Sequence, residues 1–425
     1  MKFLILTQYF PPEIGAPQTR LAALGRELAR RGHAVEVVTA LPNYPTGRIF
    51  PEYRRRFAVS ESWEGIPVHR TWVYASKGAG VKRMANYSSF LATSLLGLRK
   101  ASRPDWIFVE SPPPSLALAA LLAGRFWRVP VIVNVADLWP DSIRALGLMN
   151  NELLLHLFEK LERFVYRRAF CVNAVTEGIR KSLTEDKGVA RAKVTLLPNG
   201  VDPEIYQPQP PDEALREQLG LRGKKIILYA GTHGYAHGLE HVLEAARQLR
   251  DDGIHFLFIG DGSEKQRLIG LAAQLQLQNV TFLAPVSPGE IPRYLSLAEC
   301  GLAPQRDIAL FEGNRPAKIV SIMACAKPVV FSGKGEGARL VEDARAGFVV
   351  APEDPSALVA AIRELAREPQ LGRQLGWNGC AYVRSRLSWP ALVGDWLDQL
   401  HTLGQTEMPL RVKEEAAAAR AAGSS

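Results

Sequence analysis

The sequence predicts an α/β protein made of two doubly wound halves, and three observations carry that prediction. Short apolar runs that read as buried strands alternate with helical stretches, the pattern of a parallel sheet covered on both faces. That pattern stops at LPNGVDPEIYQPQPPDE, a Pro- and Asn-Gly-rich linker, and then restarts. The length, 425 residues, exceeds one ordinary core and suits two domains of about 200 residues each.

In the first half, FLILT reads as a buried strand, followed by the loop QYFPPEIGAP and a helix from Thr19 to about Arg31. AVEVVTA, WIFVE, VIVNVA and FCVNAV follow as strands with apolar helices between them. In the second half, the strand KKIILYAG leads through the loop THGYAHG into the helix LEHVLEAARQLRDDG. IHFLFIGDG, NVTFLA, CGLAP, KPVVFS and GFVVAP continue as strands. After about residue 404 the text EEAAAARAAGSS reads as a tail.

Composition narrows the function. Hydrophobic residues make up 47% of the chain, enough for large cores. A net charge of +9 points weakly to anionic partners. No basic stripe with interleaved aromatics is present, so nucleic acid is not expected. Cys171, Cys300, Cys325 and Cys380 show no metal-ligand spacing and need no disulfide, which fits a reducing cytoplasm. The apolar run in MKFLILTQYFPP is short and lacks a small-residue cleavage site, so it reads as a first strand. No stretch approaches the ~20 apolar residues of a membrane span, and LALAALLAG is interrupted by Arg125.

In open α/β sheets, ligands sit beyond the carboxyl ends of the strands. Several segments stand there. EGNRPAKIVSIMACAKP reads as a helix with Pro316 in its first position and Ile319, Ile322, Met323 and Ala326 at helical spacing. Arg315 and Lys318 open that helix, where positive charge is unfavourable unless an anion is bound. The helix therefore suggests a phosphate site, the competing reading being two solvated side chains. Gly15 opens a helix without a G-x-G-x-x-G fingerprint, which argues against a dinucleotide; it is either a phosphate approach or a plain turn. The loop 231–238, with Gly231, Thr232, His233 and His237, suits close approach of backbone to a ligand, against an ordinary loop. Asp261 and Gly262 in FIGDG read as a capped turn. Asp137 in NVADLWPDS is a cleft candidate or an N-cap. No Asp-x-Asp occurs, so a carboxylate cage for Mg²⁺ is not expected. The stretch 77–103, basic at its ends and apolar in its centre, reads either as a surface for anionic lipid or as a buried helix with solvated ends.

Taken together, YFPPEIGAPQTR, RGHAVEVVTALPNYPTGRIFPEY, DLWPDS, LPNGVD, YAGTHGYAHGLEHVLEA, FIGDG, RPAKIVSIMACAKPVV and GFVVAPEDPSAL closely resemble glycosyltransferase family 4, in particular the bacterial group that builds O-antigen, capsule and colanic-acid-type polysaccharides. The resemblance is collinear from residue 1 to about 400. It implies a GT-B fold, two Rossmann-like doubly wound domains facing across a cleft. The acceptor-side domain would span 1–202 with a returning helix 388–404, and the nucleotide-sugar domain 203–387, leaving 405–425 as a tail. It also implies sugar transfer with retention, without metal or other cofactor. The donor would be a nucleotide-diphosphate sugar and the acceptor a glycan or polyprenyl-diphosphate-linked precursor. The implied location is cytoplasmic, with a peripheral position on the inner face of the cell membrane.

The resemblance places Lys318 and Arg315 at the leaving diphosphate and Gly15 at the donor loop. Asp137 falls where many members have a His that touches sugar. Four positions depart from the pattern. Of two glutamates common in the family, the first falls at Gly313, with Glu312 one place off, and the second, which holds the ribose diol, falls at Ser321. A serine cannot grip a diol as a carboxylate does. Thr232 and His237 stand where many relatives carry Arg and Lys. The alternatives are a nucleotide-sugar epimerase-like GT-B enzyme and a nucleotide-sugar-binding protein that has lost catalysis.

Overall fold

The structure, a computed structural model, describes residues 1–76, 81–145 and 151–407. The chain forms two compact units, one of residues up to Pro198 joined by the chain from Pro390 on, the other Asn199–Trp389.

The first unit carries β1 (Lys2–Leu6), β2 (Ala34–Ala40), β3 (Ala58–Trp63), β4 (Ile66–Thr71), β5 (Trp106–Ser111), β6 (Val131–Val135), β7 (Cys171–Ala174) and β8 (Val194–Leu196). They lie in the order β3-β4-β2-β1-β5-β6-β7-β8. All neighbours are parallel except the β3–β4 hairpin. Phe3, Leu4, Ile5 and Leu6 are all fully buried, as a strand covered on both faces requires. The helix expected from Thr19 starts earlier, at Ala16, and ends at Arg30, because Pro17 fits its first turn and Gly15 is its cap residue. The returning helix, Trp389–Glu407, belongs to this unit from Pro390 on. Its Trp396 is fully buried against Phe3 and Phe108.

Polar residues cross this sheet in register. Glu110 pairs with Asn134, Asn134 with Asn173, and Asn173 with Thr195 on successive strands. Their side chains form a buried chain of hydrogen bonds. Asn134 donates to Glu110 at 2.7 Å, Asn173 to Asn134 at 2.6 Å, and Thr195 to Asn173 at 2.9 Å. At one end Arg20, from the helix Ala16–Arg30, pairs with Glu110.

The second unit holds β9 (Lys225–Ala230), β10 (Ile254–Ile259), β11 (Val280–Leu283), β12 (Ala298–Pro304), β13 (Val329–Ser332) and β14 (Gly347–Val350). The order is β11-β10-β9-β12-β13-β14, every pair parallel. The strand order therefore reverses between β9 and β12, the point at which such sheets bind ligands. In the first unit the corresponding reversal lies between β1 and β5.

Candidate functional site

The two loops that flank the β9/β12 reversal are 231–238, after β9, and the segment after β12 that leads into the helix Ala317–Ala324. Pro316 is the cap of that helix, one residue before the first-turn position expected of it, with Ala317 the first helical residue. Met323 and Ile319 are buried as expected, but Ala326 lies beyond the helix in the left-handed region. The helix settles close to the sheet because Gly301 of β12 has no side chain. A Cβ there would come within 2.5 Å of Ile322.

This close seat brings Lys318 over the end of β9. Its Nζ donates to the Tyr229 hydroxyl at 3.0 Å and lies 4.3 Å from the centre of that ring. A Cβ on Gly231 would come 3.1 Å from Lys318 Cε and 3.4 Å from Nζ. Burial lowers the Lys318 pKa to about 7, and no carboxylate among the described residues acts on it to raise it again. A cation held in this way is favoured by an arriving anion.

Arg315 stands two residues before the helix and donates to the Asn199 carbonyl at 3.2 Å. Burial pulls its pKa down, while Glu336 and Tyr382 act to raise it. Glu312 is exposed on the 3₁₀ turn Ala309–Gly313. Gly335 packs onto its backbone at positive φ, leaving no room for a Cβ, which would meet the Glu312 carbonyl at 2.0 Å. Ser321 follows Lys318 by nearly one helical turn and shares a hydrogen bond with Tyr206, whose pKa burial raises to about 12.

The loop 231–238 is braced from below. Gly231 donates to Ile259 O at 2.9 Å, His233 to Asp261 O at 2.8 Å, and Glu264 to His233 O at 2.9 Å. The contacts are so close that a Cβ at Gly260 would overlap the Gly231 carbonyl and one at Gly262 the His233 carbonyl. Asp261 and Gly262 thus brace the loop 231–238, with the exposed Asp261 carboxylate accepting from the Gly262 N–H at 2.8 Å.

The two histidines of this loop lie at different depths. His233 is fully buried, its ring stacked on Tyr229 at 5.7 Å and edge-on to Phe282 at 6.0 Å. Its N–H and carbonyl are both used in the brace. It is a packing residue, kept neutral by burial and by Lys265 and Lys318, with a pKa lowered to about 4. His237, on the 3₁₀ turn Tyr235–His237, stands 3.3 Å from the Pro304 carbonyl through Nδ1. Burial and Lys318 lower its pKa to about 3, so it brings no charge. Thr232 is exposed and its carbonyl accepts from the Tyr229 hydroxyl at 2.6 Å.

Sequence reasoning missed Tyr229 and Arg306. Tyr229 reads as one more apolar strand residue, yet its hydroxyl links Lys318 to the loop. Arg306 donates to Tyr235 O at 2.7 Å and pairs with Glu240 and Glu353. Its guanidinium lies 4.2 Å from the Tyr235 ring centre. A single Arg after a strand carries no signal of such a role.

In the first unit, Gly15 is extended rather than left-handed, and a Cβ there would meet the Gln18 side chain at 2.5 Å and Tyr44 at 3.3 Å. Beside it Glu13, also missed, accepts from the N–H groups of Asn43 at 2.7 Å, Tyr44 at 2.8 Å and Phe10 at 3.3 Å. It ties the loop after β1 to the loop after β2, and burial raises its pKa to about 7. Asp137 follows β6, half-buried, and accepts from the Ser142 hydroxyl at 2.5 Å. Burial raises its pKa.

Two doubly wound units, each with a strand reversal, make the GT-B fold. The chain matches the glycosyl transferase 4-like domain over residues 15–200 and the glycosyl transferases group 1 domain over 211–380. It is 30% identical over 387 residues to WcaI of Escherichia coli K12, a protein provisionally named as a colanic acid biosynthesis glycosyl transferase. That match covers 87% of this chain and 93% of WcaI. Sucrose-phosphate synthase from Thermosynechococcus elongatus superposes with a TM-score of 0.74 at 19% identity, covering 95% of this chain and 100% of that one. Anabaena Alr3699/HepE, solved in complex with UDP-glucose, gives 0.71 at 18% identity, with 95% and 100% covered. The chain belongs to this glycosyltransferase family and is a glycosyltransferase.

Proposed function

We propose that the chain transfers a sugar, with retention of anomeric configuration and without a metal, from a nucleotide-diphosphate sugar to a lipid-linked glycan precursor of a surface polysaccharide. The observation that carries the donor side is Lys318, a cation without a carboxylate partner set against Gly231 at the strand reversal. As the bond from the anomeric carbon to the diphosphate oxygen breaks, the electron pair goes to the diphosphate. The acceptor hydroxyl oxygen bonds to the anomeric carbon on the same face, and its proton goes to the departing phosphate. Lys318, the helix start and the Gly231 backbone meet the charge that develops, and donors fixed in place lower such a barrier. Arg315 spends one N–H on Asn199 and keeps the others for the diphosphate. The exposed Glu312 and the Ser321 hydroxyl are assigned to the nucleoside, and Thr232, His237 and Gly15 to the donor loops. Asp137 is assigned to the sugar or acceptor, where burial pushes its carboxyl pKa upward.

The surface-polysaccharide acceptor is supported by the likeness to WcaI. The test is thermal shift across a panel of nucleotide diphosphates and nucleotide-sugars with EDTA present, followed by turnover with the hit. A bound donor raises the melting temperature by mass action. A hit that needs added divalent metal would overturn the metal-free reading, and inversion in the product would overturn retention.

A further inference from the structure

The brace beneath the loop 231–238 grips only its first half, through Gly231 and His233. The second half, 234–238, contains Gly234 and Gly238. Glycine loses more conformational freedom on ordering than any other residue, so this half needs its own hold.

Arg306, in the segment after β12, supplies it. Its backbone N–H donates to the Ala236 carbonyl at 3.0 Å and its Nε to the Tyr235 carbonyl at 2.7 Å. Its Nη1 donates to Glu353 at 3.0 Å and its Nη2 to Glu240. Glu240 lies in the first turn of the helix Leu239–Gln248, and Glu353 follows β14. The segments after β9, β12 and β14 therefore meet at one guanidinium. Packing here is close. Gly238 is left-handed, and a Cβ on it would come 3.4 Å from Arg306 Cγ and 3.3 Å from the His241 ring. Glu353 is also left-handed, at φ 58, a conformation that non-glycine residues keep where their surroundings impose it.

Arg306 differs from Lys318 in its partners. Two carboxylates neutralise it, and its side chain is only 14% exposed. Each carboxylate has a second cationic neighbour, Arg267 at 3.1 Å from Glu240 and His241 at 3.8 Å from Glu353. A cation so paired has little free charge to offer a diphosphate. What it holds is the turn Tyr235–His237. The His237 ring at the end of that turn lies 6.1 Å from the Tyr229 ring, and Lys318 acts on it electrostatically.

We propose that Arg306 is a positioning residue for sugar transfer, clamping the outer half of the loop 231–238 so that the turn Tyr235–His237 stays packed on Tyr229 beside Lys318. The role rests on the reading of that loop as part of the donor site. It needs a guanidinium, because a lysine ammonium is a single point charge and cannot meet a carbonyl and two carboxylates on three sides.

The experiment compares the full chain with Arg306→Met, Arg306→Lys and the control Arg363→Met. Arg363 pairs with Asp252 at 2.6 Å, beyond the far end of the helix Leu239–Gln248. Hydrogen exchange without ligand reads the clamp. In Arg306→Met the amides of 234–238 should exchange roughly tenfold to a hundredfold faster, as expected for lost charge-assisted hydrogen bonds. Calorimetry with UDP, GDP, dTDP and ADP reads the site. For the probe that the wild-type chain binds, Arg306→Met should weaken affinity about tenfold, because only the fraction of molecules with the turn in place binds well. Its pH profile should move too. In the wild type affinity falls as pH rises above about 7. A loosened turn admits water to Lys318 and lifts its pKa, so the fall should begin at higher pH. Tyr229, His233 and His237 also face Lys318, and burial keeps each uncharged, so the profile above pH 7 reports Lys318. Arg306→Lys keeps the charge and should fall between wild type and Arg306→Met in every reading, including if Arg306→Met does not fold. Arg363→Met should match the wild type in exchange at 234–238, affinity and profile.

Unchanged exchange at 234–238 overturns the clamp. Faster exchange with wild-type affinity and pH profile would make Arg306 a stabilising residue only and overturns the positioning role. Equal loss of affinity in Arg363→Met overturns it as well. A wild-type chain that binds none of the four probes sinks the donor-site reading and the positioning role with it, while the exchange data still report the clamp, so the two failures are told apart.

Discussion

The two units handle buried polarity in opposite ways. In the first, Arg20, Glu110, Asn134, Asn173 and Thr195 are linked side chain to side chain in a row that crosses four strands. In the second, the equivalent ground beneath the strand ends is aromatic, with Tyr229, His233, Phe258 and Phe282 in mutual contact. On that bed stands Lys318, half-buried and with its pKa lowered to about 7. A polar network that closes on itself stabilises a scaffold. A lone cation on an apolar bed costs stability and is retained where a ligand completes it. The difference is what supports the proposed role of Lys318, independently of which ligand binds.

The sharpest way to break that contrast is Lys318→Met. Turnover should fall on the order of a hundredfold to a thousandfold, by analogy with loss of one fixed donor to developing charge. The ligand-free melting temperature should stay level or rise, because a desolvated cation is removed. Near-normal turnover, or a drop in melting temperature, would mean that Lys318 belongs to the scaffold after all. Glu110→Ala is the mirror experiment. It leaves the buried Arg20 without its carboxylate and should cost about 3 kcal/mol in the first unit. Chemical denaturation followed by a probe in each unit should show the loss in one transition only. Nucleotide affinity should be retained, and loss of affinity would erase the distinction drawn between the units.

Titration gives a smaller effect with a fixed sign. Lys318 must be charged to hold a diphosphate, so nucleotide affinity should weaken as pH rises above about 7. The slope should approach tenfold per pH unit until the pKa of the complex is reached. Calorimetry in buffers of different ionisation enthalpy should show proton uptake on binding, and Lys318→Met should abolish it. The same group acts on stability in the other direction. Its folded pKa lies below the unfolded value, so its contribution to stability grows as pH rises from about 7 towards 10.5. A rise of nucleotide affinity with pH would sink the assignment. The smallest effect expected is a gain. Thr232→Arg puts a cation back on an exposed position of the glycine loop and should tighten diphosphate binding by about fivefold. No gain, measured by the same calorimetry, would place Thr232 away from the diphosphate.

Much of this was legible in the sequence, for reasons visible in particular elements. Strands such as FLILT and IHFLFI are buried on both faces, so their apolar runs are unbroken. The β3–β4 hairpin escaped because AVSESW is half-exposed and its polar residues Ser60, Glu61 and Ser62 are consecutive, so no period of two shows, although Glu64-Gly65 at positive φ forms the hairpin turn. β8, three residues long, is too short for any period. Lys318 stands out in the sequence because its charge conflicts with a helix start, a local rule. Tyr229, Glu13 and Arg306 were not, because each acts through partners distant in sequence. Tyr229 lies 89 residues from Lys318, and Arg306 lies 66 from Glu240. The inward turn of His233 likewise depends on Phe282, which no spacing rule connects to it.

The returning helix has a consequence for biosynthesis. Trp396 fills the space against Phe3 and Phe108, and Gln399 closes hydrogen bonds to the backbone of Leu196. The ribosome therefore finishes every strand of the first unit roughly 200 residues before the piece that covers it emerges. At 5–20 residues per second, the completed set of strands waits uncovered for about 10–40 s. For that interval the nascent chain carries an open apolar surface, and the second unit has time to fold before the first is sealed.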